Sequence, residues 1–71
     1  MNPVRHWFYA YVLKSEKNGN LYTGTTSDLK ERLKQHSRGL VSSTKHRRPL
    51  KLIYFEACLN EDDAYHRNPL Y

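Results

Sequence analysis

The chain is short of the residues that cross-link or anchor a small protein. It has one cysteine, Cys58, so no intramolecular disulfide can form, and no set of Cys and His shows zinc-site spacing. Its histidines, His6, His36, His46 and His66, are too scattered to suggest a metal cage. No apolar run approaches the roughly 20 residues of a membrane span. No long apolar core follows a basic start, so neither a membrane partner nor a signal peptide is expected. A lone cysteine fits a reducing compartment, and the cytoplasm is the expected location. The 71 residues leave room for one domain, 1–71, and no second one. Such a chain buries only about 60% of the surface its unfolded form exposes, so marginal stability and weak self-association are expected. Acidic residues are scarce too: 7 Asp and Glu stand against 12 Lys and Arg, a net charge of +5. That excess favours a polyanionic partner.

Against this background two aromatic segments stand out. Trp7 to Leu13 is apolar on both parities, which predicts a strand covered on both faces and therefore central. Asn18-Gly19 is a type I′ turn signal, because both positions accept positive φ, and Leu21 to Thr25 reads as the return strand. By alternation, Tyr9, Tyr11, Leu13, Tyr22 and Gly24 share one face of this hairpin. A two-residue turn would leave Tyr11 and Tyr22 four residues apart along the sheet, about 13 Å. A wider loop would bring them together.

Asp28 is placed to cap the next helix, with Glu31 three residues on in a box-like arrangement. Leu29 and Leu33 form its apolar stripe, and Gly39 suits its end. On a helical wheel Arg32 and His36 lie about 60° and 20° to one side of Leu29, so both should look along the sheet surface. A polar loop from Leu40 follows, ending in the basic cluster Lys45, His46, Arg47 and Arg48 before Pro49. Leu50 to Ala57 reads as a third strand, and Asn60 or Glu61 begins a last helix containing Ala64 and Tyr65. The fold expected is a small α/β (α+β) domain of order β-β-α-β-α, with a three-stranded antiparallel sheet and flanking helices.

Tyr9-Ala10-Tyr11, Tyr22-Thr23-Gly24, Arg32 and His36, in this order and spacing, resemble the GIY-YIG nuclease superfamily. More closely, the chain resembles its small stand-alone members similar to the excinuclease C nuclease domain, over about Phe8 to Arg67. Tyr11 matches the tyrosine that ends the first motif, with Tyr9 in place of its usual glycine. Tyr22 and Gly24 match the outer residues of the second motif, and Arg32 falls where the helical arginine belongs. The pattern Asp63-Ala64-Tyr65-His66-Arg67 then begins faithfully the segment that normally leads into a metal-binding glutamate. Asn68 stands at that position, Pro69 follows, and the chain looks truncated or altered at its end.

The resemblance implies a metal-dependent DNA endonuclease that hydrolyses phosphodiester bonds, in repair or processing, on DNA that is branched or nicked. It implies Mg²⁺ or another divalent cation if the chain is active, and no cofactor otherwise. Arg32 offers a permanently charged fork of donors for a phosphate. Tyr11 and Tyr22 would position or deprotonate the attacking water, and His36 would orient a phosphate or assist proton transfer. Tyr9 or Tyr22 taken alone is more simply read as strand packing. Gly24 tolerates close approach of a ligand or backbone, or marks a bulge. Lys45, Arg47 and Arg48 would hold backbone phosphates without reading sequence. The competing expectation is a catalytically impaired nucleic-acid-binding module that keeps the cleft and the basic loop. Residue 68, the expected metal position, separates the two.

Overall fold

The computed structural model describes residues 7–60 and His66. Among them are strands β1 (Phe8–Ser15) and β2 (Leu21–Thr26), helix α1 (Leu29–Ser37), a 3₁₀ turn (Lys45–Arg47) and strand β3 (Leu50–Cys58). The sheet is antiparallel with order β2-β1-β3, so the two-faced apolar segment is the central strand, as its pattern predicts. Ala10, Tyr11, Val12 and Leu13 are all buried. Of the expected last helix only Asn60 and a helical His66 are described, and the expected metal position, Asn68, lies outside the described residues.

The hairpin is wider than the Asn18-Gly19 signal suggests. Only Gly19 takes positive φ, at 79°, and the loop runs through four residues, 16–19. Ser15 sets this geometry. Its amide donates to the Asn20 carbonyl at 2.8 Å, and its Oγ accepts from the amides of Lys17 and Asn18 at 3.2 and 3.3 Å. These side-chain bonds satisfy loop amides that a type I′ turn would leave differently placed. The pairing therefore slides to Leu13 opposite Tyr22 and Tyr11 opposite Gly24.

Helix α1 starts where Asp28 Oδ1 accepts the Glu31 amide at 3.1 Å. The reciprocal half of a capping box is replaced, since the Asp28 amide donates to Thr26 Oγ1 at 3.1 Å. The helix ends in a Schellman arrangement: Gly39, at φ 76°, donates to His36 and Leu40 donates to Gln35. The side chain it buries most deeply is His36, while Leu29 and Leu33 are only half-buried. A β-bulge at Ile53 lets Leu52 pair with Leu13 while Phe55 pairs with Tyr11, so both join the Tyr11 face. On the other face Ala10 and Cys58 form a small core against which Phe8 packs.

A buried tyrosine and histidine beside Arg32: the candidate functional site

Antiparallel pairing brings Tyr11 and Tyr22 to diagonal positions on one face, with ring centroids 6.4 Å apart. His36 comes down onto both rings from α1, 5.8 Å from Tyr11 and 5.2 Å from Tyr22, edge-on to each. Its position on the helix, close to the Leu29 direction, is what aims it at the sheet. The shared tyrosine face and the inward histidine thus meet in three dimensions.

The polar atoms form a directed chain. Thr44 Oγ1 donates to the Val41 carbonyl at 3.4 Å, so it accepts the Nδ1–H of His36 at 2.8 Å. Nε2 of His36 is then an acceptor, and it receives the Tyr11 hydroxyl at 3.0 Å. Burial, reinforced by the Arg32 guanidinium, lowers the His36 pKa below its ordinary 6.5, which favours this neutral tautomer at neutral pH. Burial raises the Tyr11 pKa above 10.0 against the opposing pull of Arg32, so Tyr11 is held as a phenol. Arg32 in turn is held cationic, its pKa raised chiefly by its hydrogen bond with Tyr11. It also donates Nη1 to Gln35 Oε1 at 2.9 Å, one helical turn along, which fixes the guanidinium over the two tyrosines. Among the described residues, every buried side-chain nitrogen or oxygen has a hydrogen-bond partner.

Access differs among the four residues. Tyr11 and His36 are 0% and 1% exposed, whereas Tyr22 and Arg32 are half-buried at the surface. Tyr11 therefore forms the wall of the site, and Arg32 and Tyr22 form its open side. Gly24 makes this wall possible. A Cβ there would stand 2.5 Å from the Tyr11 hydroxyl and 2.6 Å from its ring, so the close approach that Gly24 accommodates is that of Tyr11.

The basic loop is tied to the same site. Thr44, fully buried, ends at His36 on one side and leads into Lys45 on the other. The Arg47 carbonyl accepts from Ser15 Oγ at 2.7 Å, the His46 carbonyl from Lys17 Nζ at 3.3 Å, and the Pro49 carbonyl from the Glu16 amide at 2.8 Å. Lys45 and Arg47 leave their charged groups on this anchored backbone. Arg48 is differently used: Nε donates to the Lys45 carbonyl at 3.0 Å and Nη1 to Ser37 at 3.4 Å, at the negative end of α1. Its guanidinium also lies over Gly39. Arg48 is thus a strap between loop and helix as well as a surface charge.

Sequence reasoning missed Thr44 and Ser15. Each is one small polar residue in a polar stretch, and only its burial, at 0% and 1% exposure, marks its role. Among the described residues no group of three or more His, Cys, Asp or Glu side chains is gathered for a metal. The donors that line the site are phenols, an imidazole already engaged at both nitrogens, and a cation. They do not fit a divalent ion by themselves. No helix among the described residues is long and apolar enough to cross a membrane.

The GIY-YIG catalytic domain matches residues 7–68. A UPF0213 protein of Pediococcus pentosaceus is 44% identical over 63 residues, covering 87% of this chain and 65% of the relative. A UPF0213 protein of Clostridium perfringens is 43% identical over 60 residues, 83% of this chain and 63% of the relative. One from Streptococcus agalactiae is 41% identical over 64 residues, with 89% and 72% covered. The chain therefore spans a little under two thirds of the first two of these curated relatives. No solved structure matches the chain.

Proposed function

Starting from the premise that this chain belongs to the GIY-YIG family of catalytic domains, small stand-alone members included, we propose that it acts on DNA phosphodiesters. The observation that carries this reading is the placement of Arg32, half-exposed, beside a buried Tyr11 whose proton is directed at a neutral His36. A phosphate resting on Arg32 and Tyr22 would meet a charged fork of donors and a phenol, and its growing negative charge in hydrolysis would be stabilised there. Tyr11 serves from behind. In the proposed step a water held at the Arg32–Tyr22 opening gives its proton to Tyr11 as the Tyr11 proton passes to His36 Nε2. Thr44 keeps Nδ1–H in place, so the ring stays in the acceptor tautomer. The phosphate's negative charge would offset the repulsion between Arg32 and the imidazolium that results.

GIY-YIG nucleases typically use divalent metals. Since the described residues do not gather ligands for one, and the resemblance sets Asn68 where the usual glutamate stands, no step is drawn through a metal. Asn68 favours a second reading: a domain that binds DNA through Arg32 and the basic loop but cuts it poorly. Cytoplasmic DNA processing or repair, on branched or nicked substrates, is the setting proposed for either.

The test is supercoiled plasmid and branched DNA incubated with the chain, with and without Mg²⁺ or Mn²⁺. Metal-dependent nicking abolished by Arg32→Ala supports the hydrolytic reading. DNA binding lost in Arg32→Ala, with no nicking by the parent chain, supports the binding module. A chain that neither binds nor cuts would overturn both.

A further inference from the structure

We propose that the groove beside the phosphate site is a seat for one unpaired nucleobase, so that the preferred substrate carries an unpaired nucleotide next to the engaged phosphate. This rests on the phosphate reading of Arg32. The groove, of about 450 Å³, opens between the start of α1 and the sheet. Tyr9 and Phe55 form one wall, with ring centroids 6.4 Å apart and tilted by 57°, and Leu29 and Leu33 form the other. Phe55 is 52% exposed although it sits on the sheet face that carries α1. An exposed Phe55 beside a half-buried Tyr9, facing two half-buried leucines, offers flat apolar surface of the kind on which bases stack irrespective of sequence.

Three observations select a nucleotide over other apolar occupants. Tyr9 lies two residues from Tyr11 on the same face of β1, about 7 Å along the strand, so the groove begins one step from the phosphate site. Lys30 and Asp28 both line the groove, but the Asp28 carboxylate is engaged by the Glu31 amide at the start of α1, which leaves the Lys30 ammonium as the charged group there that can meet a sugar-phosphate backbone. The volume is that of a small-ligand site and is ample for one base with its sugar. A paired base cannot enter, because its faces are already stacked and its edge is already bonded. The groove therefore selects single-stranded, gapped or flap-bearing nucleic acid over intact duplex.

The experiment measures binding of a fluorescein-labelled single-stranded oligonucleotide and a blunt duplex with the same number of phosphates. It also uses a single strand carrying abasic sites throughout. The single strand should bind about tenfold tighter than the abasic strand, and Phe55→Ala should remove about that factor for the single strand alone. In Phe55→Ala the abasic and normal strands should then bind alike. Phe55→Trp should retain the preference, and Tyr9→Leu should weaken it. Because Phe55 is half-exposed, its replacement should leave the fold intact, which the unchanged duplex affinity would register. Equal binding of normal and abasic strands by the parent chain overturns the base seat while leaving the phosphate site standing. A Phe55→Ala effect on oligomeric state and not on the single strand assigns the groove to a second copy and overturns it equally. Loss of duplex and single-strand binding together in Arg32→Ala is the phosphate reading's own outcome. If Arg32→Ala changes neither, that reading fails independently.

Discussion

Tyr11 lies over Gly24 across the β1–β2 pair, so close that a Cβ on Gly24 would stand 2.5 Å from the phenolic oxygen. Tyr11 cannot retreat, because its hydroxyl is also bonded to His36 at 3.0 Å and the residue is 0% exposed. Gly24→Ala should therefore displace the ring, break the bond to His36 and destabilise the chain by about 1–3 kcal/mol. Gly19 is the control of a different kind: a Cβ there meets nothing within 4 Å, but its φ of 79° disfavours alanine. Gly19→Ala should cost only about 1–2 kcal/mol and leave the Tyr11–His36 bond intact. Urea denaturation, with the His36 imidazole shifts read by NMR, distinguishes the two.

The Tyr11–His36–Thr44 chain should behave as one unit. Tyr11→Phe leaves Nε2 of His36 buried without its donor, and Thr44→Val leaves Nδ1–H without its acceptor. Each should cost about 1–3 kcal/mol. Double replacement of Tyr11 and His36 by Phe and Leu should cost less than the sum of the singles. A double-mutant cycle in denaturant measures this; additive losses would show that the two side chains are not coupled.

Stability should fall on both sides of neutrality. The folded His36 pKa lies below 6.5, so the unfolded chain takes up a proton first, and stability declines as pH drops below about 6.5 until the folded value is passed. The folded Tyr11 pKa lies above 10.0, so the unfolded phenol ionises first, and stability declines as pH rises above about 10 toward the folded value. His36→Phe should flatten the acid limb and Tyr11→Phe the alkaline one. Thermal unfolding across pH 5 to 11 is the measurement.

Binding to duplex DNA should weaken with salt. If Arg32, Lys45, Arg47 and Arg48 together neutralise about three or four phosphates, log affinity against log salt should slope at about −3 to −4. Lys45→Ala with Arg47→Ala should flatten the slope by up to about two without altering the fold. Arg48→Ala should act differently, because its side chain ties Lys45 and Ser37 together. It should lower thermal stability as well as affinity. Salt titrations of fluorescence anisotropy, paired with melting curves, separate these effects.

Residue 68 should decide catalysis more than binding. Asn68→Glu, paired with Pro69→Lys so that a helix could continue, should raise Mg²⁺-dependent nicking while changing DNA affinity little. Arg32→Ala on that background should abolish the gain. Vigorous metal-dependent cleavage by the parent chain would instead assign the metal position to some other group.

The individual elements were legible before folding, because they rest on local rules. Apolar residues on both parities made Trp7 to Leu13 central, Asp28 and Gly39 bounded α1, and a branched, aromatic run made β3. Alternation put Tyr11, Tyr22 and Gly24 on one face, and the helical period turned His36 toward it. The spacing of those residues also carried the family. Tertiary structure decided what alternation cannot: register and partnership. A two-residue slide, set by the bonds of Ser15 to the loop, brought Gly24 under Tyr11 and moved Tyr22 to its diagonal. The same packing withdrew Tyr11 from solvent, left Arg32 and Tyr22 at the opening, and recruited Thr44 to fix the histidine. Thr44 sits eight residues after His36 in a loop without period, and only folding could bring its hydroxyl to a ring nitrogen.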